Sequence, residues 1–416
     1  MLARIRAWYL GTFCKHHPTS RPDVLVVTRS DLFPTDHGAA VKIIRTAESV
    51  SRCERRVFLC TDNRRHYYCF DHGSMTTLDY PLWVRLLALP RRLALLRLLL
   101  AGFPWSNAFL YFALRDFSYV VRSLYLATRY GTGSSLAEFP AYVQPLLMVR
   151  KLLGGKIVLV EHNVEYARLR AQLPALTTGG YQRLKQVELK MCQQADQIIT
   201  VSTNDREILI NDGIEHSKIR VIPHGVDLRA FNAAQAAPIR ARYDLDADTL
   251  ILVYHGTYSY GPNRQAIQML ASTILPMLEA RGCKVAVLAI GSRPPADLRH
   301  PLIHFTGSVP DIAPLLKSAD LAVVPLLEGG GTRMKILDYF AAGVPVISTV
   351  KGIEGIPVEH GMQALVLDAP EAICDAILRL RDNPLEARIL ADNAAAFVGS
   401  MSWDALSRLY IPLLGN

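Results

Sequence analysis

The residues best placed to do chemistry lie together in Pro325–Thr349, PLLEGGGTRMKILDYFAAGVPVIST. An apolar run, Leu321–Val324, feeds a loop holding Glu328, Gly329, Gly330, Gly331 and Thr332, and a helix is expected to start near Thr332 or Arg333. Glycines let backbone N–H groups approach a ligand closely. A helix amino terminus concentrates unpaired N–H groups and partial positive charge, which suits a phosphate. Arg333 and Lys335 add full positive charge at that mouth. Asp338, one turn deeper, offers a carboxylate that accepts two hydrogen bonds from a ribose diol. An ordinary glycine-rich turn with a solvated arginine is the plainer reading, and the coincidence of so many fitted features weighs against it.

Other polar clusters also follow apolar runs. Glu161-His162-Asn163-Val164-Glu165 comes after one such run, and its groups are expected to project from a strand end; the plainer reading of His162 is a satisfied loop histidine. Pro223-His224-Gly225 fits a chain crossing between domains. Gly256-Thr257-Tyr258, with Pro262-Asn263-Arg264, opens the second half. Gly307-Ser308-Val309-Pro310-Asp311 precedes a helix that Asp311 caps. Near the amino end, Pro34, His37 and Gly38 form a short turn at another helix start.

The elements that must position these groups are short, β-branched apolar runs alternating with helical stretches. They are Val24–Thr28, Val57–Cys60, Ile157–Val160, Ile198–Val201 and Ile219–Ile222, then Leu250–Tyr254, Val285–Ile290, Ile303–Thr306, Leu321–Val324 and Val344–Ser348. None alternates with polar residues, as strands covered on both faces require. Strand–helix–strand spacing implies parallel sheets with right-handed crossovers. Two such series, split near Gly225–Asp227, predict two doubly wound domains with a cleft between them and ligands at the carboxyl ends of strands.

The 416 residues suit roughly two to three domains. Half of them are hydrophobic and one fifth charged, with mean hydropathy +0.16. That excludes a disordered, collagen-like, coiled-coil or disulfide-scaffold chain. The net charge of +9 is uneven: residues 1–225 hold 30 basic and 18 acidic side chains, residues 226–416 hold 16 and 19. The first half therefore faces something anionic. Residues 81–137 contain seven arginines, one acid and dense leucine. Leu98–Leu114 is uncharged but broken by Pro104, Ser106 and Asn107, which argues against a spanning helix and for a packed helix pair or a basic apolar surface on anionic lipid. Seven scattered cysteines without a C-x-x-C pair exclude a zinc site and suit a reducing compartment. Arg4 and Arg6 break the early apolar stretch, so no signal peptide is expected and the cytoplasm is the expected location. Nucleic acid is not an expected partner, because no aromatic platform accompanies the basic residues.

The chain resembles the retaining glycosyltransferases of the GT-B fold, the group 1 or family 4 type. The resemblance rests on HNVE at 162–165, AD-x-x-x-x-VS at 195–202, VIPHGVD at 221–227, HG-x-x-x-x-x-PN at 255–263, GSVPDI at 307–312 and the 325–349 segment. The GGGTR-x-K-x-LD form looks most like bacterial transferases of exopolysaccharide and cell-envelope assembly. The resemblance implies an α/β fold of two Rossmann-like domains. The first spans 20–225, binds the acceptor and is completed by a helix at 402–416 containing Trp403. The second spans 226–401 and binds a nucleotide-sugar donor. It implies His162 against the donor hexose, the 329–332 loop around sugar and phosphates, and Asp338 on the ribose. Val309 and Ile312 would border the base, and Gly38 would lie near the diphosphate. It implies a glycan or lipid-linked acceptor and retention of configuration. With no Asp-x-Asp motif in a convincing place, no metal or other cofactor is expected, and the basic, apolar composition of residues 81–130 suits a peripheral contact with an anionic membrane at its inner face.

Three features depart from the family pattern. Gly330 stands where the first acid of the usual Glu-x7-Glu pair belongs, Glu328 lies two residues earlier, and the second acid is Asp338. The usual Arg and Lys after the first strand of the second domain are missing, leaving only Arg264 nearby. Arg333 and Lys335 are therefore expected to carry the diphosphate charge and serve as catalytic groups beside His162. A non-catalytic nucleotide-sugar-binding partner and a nucleotide-sugar 2-epimerase are the competing readings.

Overall fold

A computed structural model describes residues 22–29, 32–33, 38–53, 55–88, 116–173, 175–329 and 332–415. Pro34, His37, Gly330, Gly331 and the run 89–115, with Leu98–Leu114 inside it, fall outside them. The chain divides into two units, one ending at Pro223 and completed by Asp404 onward, the other running His224–Trp403. The limits thus fall at Pro223 and Asp404 rather than at 225 and 402.

The first unit is built on strands β1 (Val24–Val27), β2 (Val57–Cys60), β3 (His66–Asp71), β4 (Ser74–Asp79), β5 (Ser134–Glu138), β6 (Lys156–Glu161), β7 (Gln197–Thr200) and β8 (Ile219–Val221). They stand in the order β4-β3-β2-β1-β5-β6-β7-β8. Central β1 lies parallel to β2 and β5, with Val24 opposite Val57 and Ser134. Every residue of β1, β2 and β5 is buried, the consequence of covering a parallel sheet on both faces. Helix Gly38–Ser51 turns Ala40, Ile43, Ala47 and Val50 inward, a spacing that keeps them on one face. Helix Phe117–Tyr130 is started by the Asp116 carboxylate, which accepts from Ser118 N at 2.9 Å, and stopped by Gly131 in the left-handed region. Leu406, Tyr410 and Leu414 of the last segment join this core.

The sheet departs from the expected all-parallel arrangement. β3 pairs antiparallel with both β2 and β4. The hairpin turns at His72 and Gly73, with φ of 48° and 81°, the geometry that matches the twist of two adjoining strands. β4 is exposed along its whole length, so no apolar run marks it. β5 was also absent from the expected strands, because Ser-Ser-Leu-Ala-Glu contains no β-branched residue.

The second unit holds β9 (Leu250–His255), β10 (Val285–Ile290), β11 (Ile303–Gly307), β12 (Leu321–Val324), β13 (Val346–Ser348) and β14 (Leu365–Val366). All six are parallel, in the order β11-β10-β9-β12-β13-β14. Helix Met334–Ala342 follows β12, buries Ile336, Leu337, Tyr339 and Phe340, and ends at left-handed Gly343. The segments entering and leaving the unit pair with each other: Val226 N donates to Met401 O at 2.9 Å and Trp403 N to Val226 O at 3.3 Å.

The carboxyl ends of β9 and β10 approach closely enough to demand a glycine. A Cβ on Gly291, whose φ is +140°, would stand 2.0 Å from the Gly256 carbonyl oxygen. Backbone cannot swing aside as a flexible side chain does. Gly291→Ala is expected to destabilise the chain by about 2 kcal/mol or more, read by denaturant unfolding; wild-type stability would show that these loops relax freely.

Candidate functional site

In the second unit, the sequence places a buried polar group at the carboxyl ends of β9 and β12. Lys335 lies in the first turn of helix Met334–Ala342. Its Nζ donates to Tyr254 Oη and Asn263 Oδ1, each at 2.8 Å, and sits 4.0 Å from the Tyr254 ring centroid. Tyr254 in turn donates to Asn263 Oδ1 at 2.7 Å, and Asn263 Nδ2 donates to Thr257 O at 3.0 Å. Asp338 follows Lys335 by one turn, with Oδ2 3.4 Å from His255 Nε2. The His255 backbone N–H donates to Tyr339 Oη at 2.8 Å, which fixes the end of β9 against the helix.

Burial sets the protonation of this group. It pushes the Asp338 carboxyl up to about 7, with Lys335 pulling the other way. It draws His255 down to about 3, and the Lys335 charge adds to that fall. Lys335 itself is held well below the ordinary lysine range, by burial first and by Arg333 second.

Arg333 occupies the position just before the helix and is 7% exposed. Its Nε donates to Lys351 O at 3.3 Å, and Nη2 lies 3.7 Å from Glu354 Oε2. Gly329 passes close beside it: with φ of +107°, a Cβ there would lie 3.1 Å from Arg333 Nη2 and 3.0 Å from Tyr260 Oη. Thr332 packs on Gly355, where a Cβ would meet Thr332 Oγ1 at 2.9 Å. Gly329, Thr332, Arg333, Lys335 and Asp338 are thus brought together, while Gly330 and Gly331 lie outside the described residues. Glu328 is exposed on the same loop. Arg264 is turned to an exposed ion pair with Asp297. Val309 and Ile312 follow β11 and lean, half-buried, on the core of this unit.

The remaining predicted residues belong to the first unit. Gly38 is the exposed first residue of helix Gly38–Ser51. His162 directly follows β6 and is 3% exposed; its Nε2 lies 2.7 Å from Glu138 Oε2. Sequence reasoning did not single out Glu138, Tyr254, His255 or Asn263 as site residues. The last three fall within the HG-x-x-x-x-x-PN segment or beside it, which was the available signal. Among the described residues, no cluster of three or more His, Cys, Asp or Glu fits a metal ion, and no helix is long and apolar enough to cross a membrane.

Comparison with known proteins adds the following. A model described as Glycosyltransferase Family 4 matches residues 136–230, and one described as Glycosyl transferases group 1 matches residues 249–383. The D-inositol 3-phosphate glycosyltransferase of Mycobacterium bovis is 25% identical over 271 residues, 58% of this chain and 52% of that protein. The chain spans 36% to 52% of the length of the curated relatives it matches. Sucrose-phosphate synthase from Thermosynechococcus elongatus superposes with a TM-score of 0.65 at 19% identity, covering 94% of this chain and 99% of that one. Anabaena HepE in complex with UDP-glucose superposes with a TM-score of 0.64 at 15% identity, covering 95% and 99%. These two structural matches show the GT-B fold.

The two shifted groups oppose each other in pH. Asp338 ionises above its ordinary 3.8, so what it contributes to stability is intact below about pH 4 and declines as pH rises to about 7. His255 charges below its ordinary 6.5, so its contribution is full above that value and declines as pH falls toward 3. Asp338→Asn removes the first slope alone. The stability of the variant relative to wild type should climb from about pH 4 to about pH 7 and then level off. Denaturant unfolding across that range reads it, and a flat difference would mean that Asp338 titrates normally.

Proposed function

The chain belongs to the group 1, family 4 glycosyltransferases, and from that premise we propose that it transfers a sugar from a nucleotide-diphosphate-sugar donor to a hydroxyl acceptor. The observation that carries this is the convergence of Gly329, Arg333, Lys335 and Asp338 where β12 gives way to a helix amino terminus. UDP and UDP-glucose in the complexes of Anabaena HepE agree with such a donor. In the reaction, the bond from the sugar's anomeric carbon to the diphosphate oxygen breaks, and a bond to the acceptor oxygen forms. Charge builds on the departing diphosphate, and preorganised cations stabilise it most effectively. Arg333 and Lys335 supply that charge, Asp338 takes the ribose, and Gly38, Thr332, Val309 and Ile312 complete the donor contacts. His162 meets the hexose. No metal or other cofactor is needed when two cations and a helix terminus face the phosphates. No side chain is assigned as nucleophile: the departing phosphate takes the acceptor's proton, and configuration is retained.

The acceptor is a glycan or a lipid-linked sugar of exopolysaccharide or cell-envelope assembly, reached at the inner face of a membrane. What supports a lipid surface is the short helix Leu82–Leu87, where Leu82, Trp83, Leu86 and Leu87 are 69, 53, 60 and 61% exposed. Apolar side chains beside basic ones suit an anionic interface. In flotation assays, the chain is expected to rise with vesicles containing phosphatidylglycerol more than with neutral ones, and Leu82→Ser with Leu86→Ser to reduce it. Equal recovery without any vesicles would sink the membrane reading.

Thermal unfolding with UDP, GDP, dTDP and ADP, each in EDTA and in magnesium, tests the donor site. One nucleotide at 100 times its Kd is expected to raise the Tm by roughly 5–11 °C, in EDTA as well. Arg333→Ala and Lys335→Ala should each weaken binding of that nucleotide; normal binding by both would overturn their assignment. Tight nucleotide binding without donor consumption would favour the non-catalytic reading that Gly330 raises.

A further inference from the structure

β5 ends in Glu138, and the next residue, Phe139, has φ 83° and ψ 151°. Side chains bearing a Cβ rarely adopt that combination, and it persists only where surrounding contacts impose it. Those contacts lead to one place. The Phe139 N–H donates to Val160 O at 3.1 Å, on the strand that precedes His162. The Phe139 ring is buried and stacks on the His162 imidazole, 4.4 Å between centroids and 25° between planes. Glu138 is equally buried, and its Oε2 meets His162 Nε2 at 2.7 Å. The strain is therefore tied to the imidazole from the side and from the face.

The chemistry of the pair fixes the ring's proton. A carboxylate only accepts, so the proton between Glu138 and His162 sits on Nε2. Among the described residues, His162 Nδ1 has no hydrogen-bond partner. A proton there would be a buried donor without an acceptor, the costlier arrangement. The ring is held as the Nε2–H form with its lone pair on Nδ1. Two further groups feel the Glu138 charge, the Lys42 ammonium and the Tyr410 hydroxyl. Lys42 is itself buried and donates to Ile222 O and Pro223 O at 3.3 and 3.4 Å.

We infer that Glu138 and Phe139 are positioning residues for His162: the carboxylate selects its tautomer and the stacked ring sets its plane, so that Nδ1 stays the acceptor nitrogen of the ring. This rests on the reading that the chain transfers a sugar and that His162 meets it. Glu138 and Phe139 touch no reacting atom in this account. They act through the imidazole, as a second carboxylate or ring does wherever a histidine must present one chosen nitrogen.

The test uses the full chain with 15N-labelled histidine, His162 being assigned by loss of its signals in His162→Gln. Wild type is expected to show Nε2 at a protonated shift and Nδ1 at an unprotonated one. Glu138→Leu should mix the two tautomers, whereas Glu138→Gln, whose amide oxygen still accepts, should keep the wild-type form. Acceptor-independent hydrolysis of UDP-glucose and GDP-mannose gives the second readout. Its kcat should fall about tenfold or more in Glu138→Leu and Phe139→Leu, as small misplacements of a reacting geometry do. The donor KM should stay within about twofold, because donor affinity resides in other residues. If Glu138→Leu does not fold, Phe139→Leu carries the comparison, with kcat lowered, against Glu138→Gln, in which tautomer and kcat both stay near wild type. A protonated Nδ1 in wild type, or wild-type kcat in folded Glu138→Leu or Phe139→Leu, overturns the inference. Absence of donor turnover in wild type counts against sugar transfer, and the tautomer spectra still decide whether Glu138 positions the ring.

Discussion

An ammonium group taken out of water must be compensated, and around Lys335 that constraint shapes the whole end of the second sheet. No carboxylate hydrogen-bonds its Nζ among the described residues; a phenol oxygen, an amide oxygen and a ring face do the work instead. Each partner needs its own anchor. Asn263 is held by Thr257 O, and Tyr254 is fixed by being the penultimate residue of β9. The helix that carries Lys335 is pinned by Tyr339 to the β9 terminus. Burial first and the Arg333 charge second lower the lysine's hold on its proton. Had a carboxylate closed the ion pair, most of the ammonium's attraction for an anion would have been spent inside the protein.

Most of the sheet strands that were legible in the sequence share one property, being covered on both faces; the edge strands β8 and β11, only partly buried, are the exceptions. Val57–Cys60, Val285–Ile290 and Leu321–Val324 read as unbroken apolar runs because both faces are buried. β4 did not, because every one of its side chains meets solvent and only cross-strand pairing with β3 defines it. β5 escaped for the opposite reason. It is wholly buried, but its two serines gain their place from neighbouring strands and from Leu414 O rather than from β propensity.

The candidate site divides in the same way. Arg333, Lys335 and Asp338 lie within six residues of one another, so a single helix start brings them together and the motif suffices. Glu138 and His162 lie 24 residues apart and meet only because β5 and β6 are adjacent and parallel. Linear spacing carries no trace of such an encounter. Phe139 adds a property invisible in any sequence, a strained backbone in a residue whose type would ordinarily forbid it. Arg264 shows the converse: its position near the motif invited a role, but Asp297, 33 residues away, claims its guanidinium.

Gly330, standing where the family pattern has an acid, leaves the 328–332 loop with one carboxylate fewer. A second carboxylate near Asp338 would oppose an incoming diphosphate and would need compensation from the same two cations. Asp338 is itself half-neutral near pH 7, because burial has raised it to about 7. His255 is uncharged at that pH, its own titration having been moved to about 3. Glu354 lies 3.7 Å from Arg333. A diphosphate brought to this position would also pull the Lys335 proton affinity back up, since an anion favours the charged amine. Ligand charge and lysine protonation would reinforce each other.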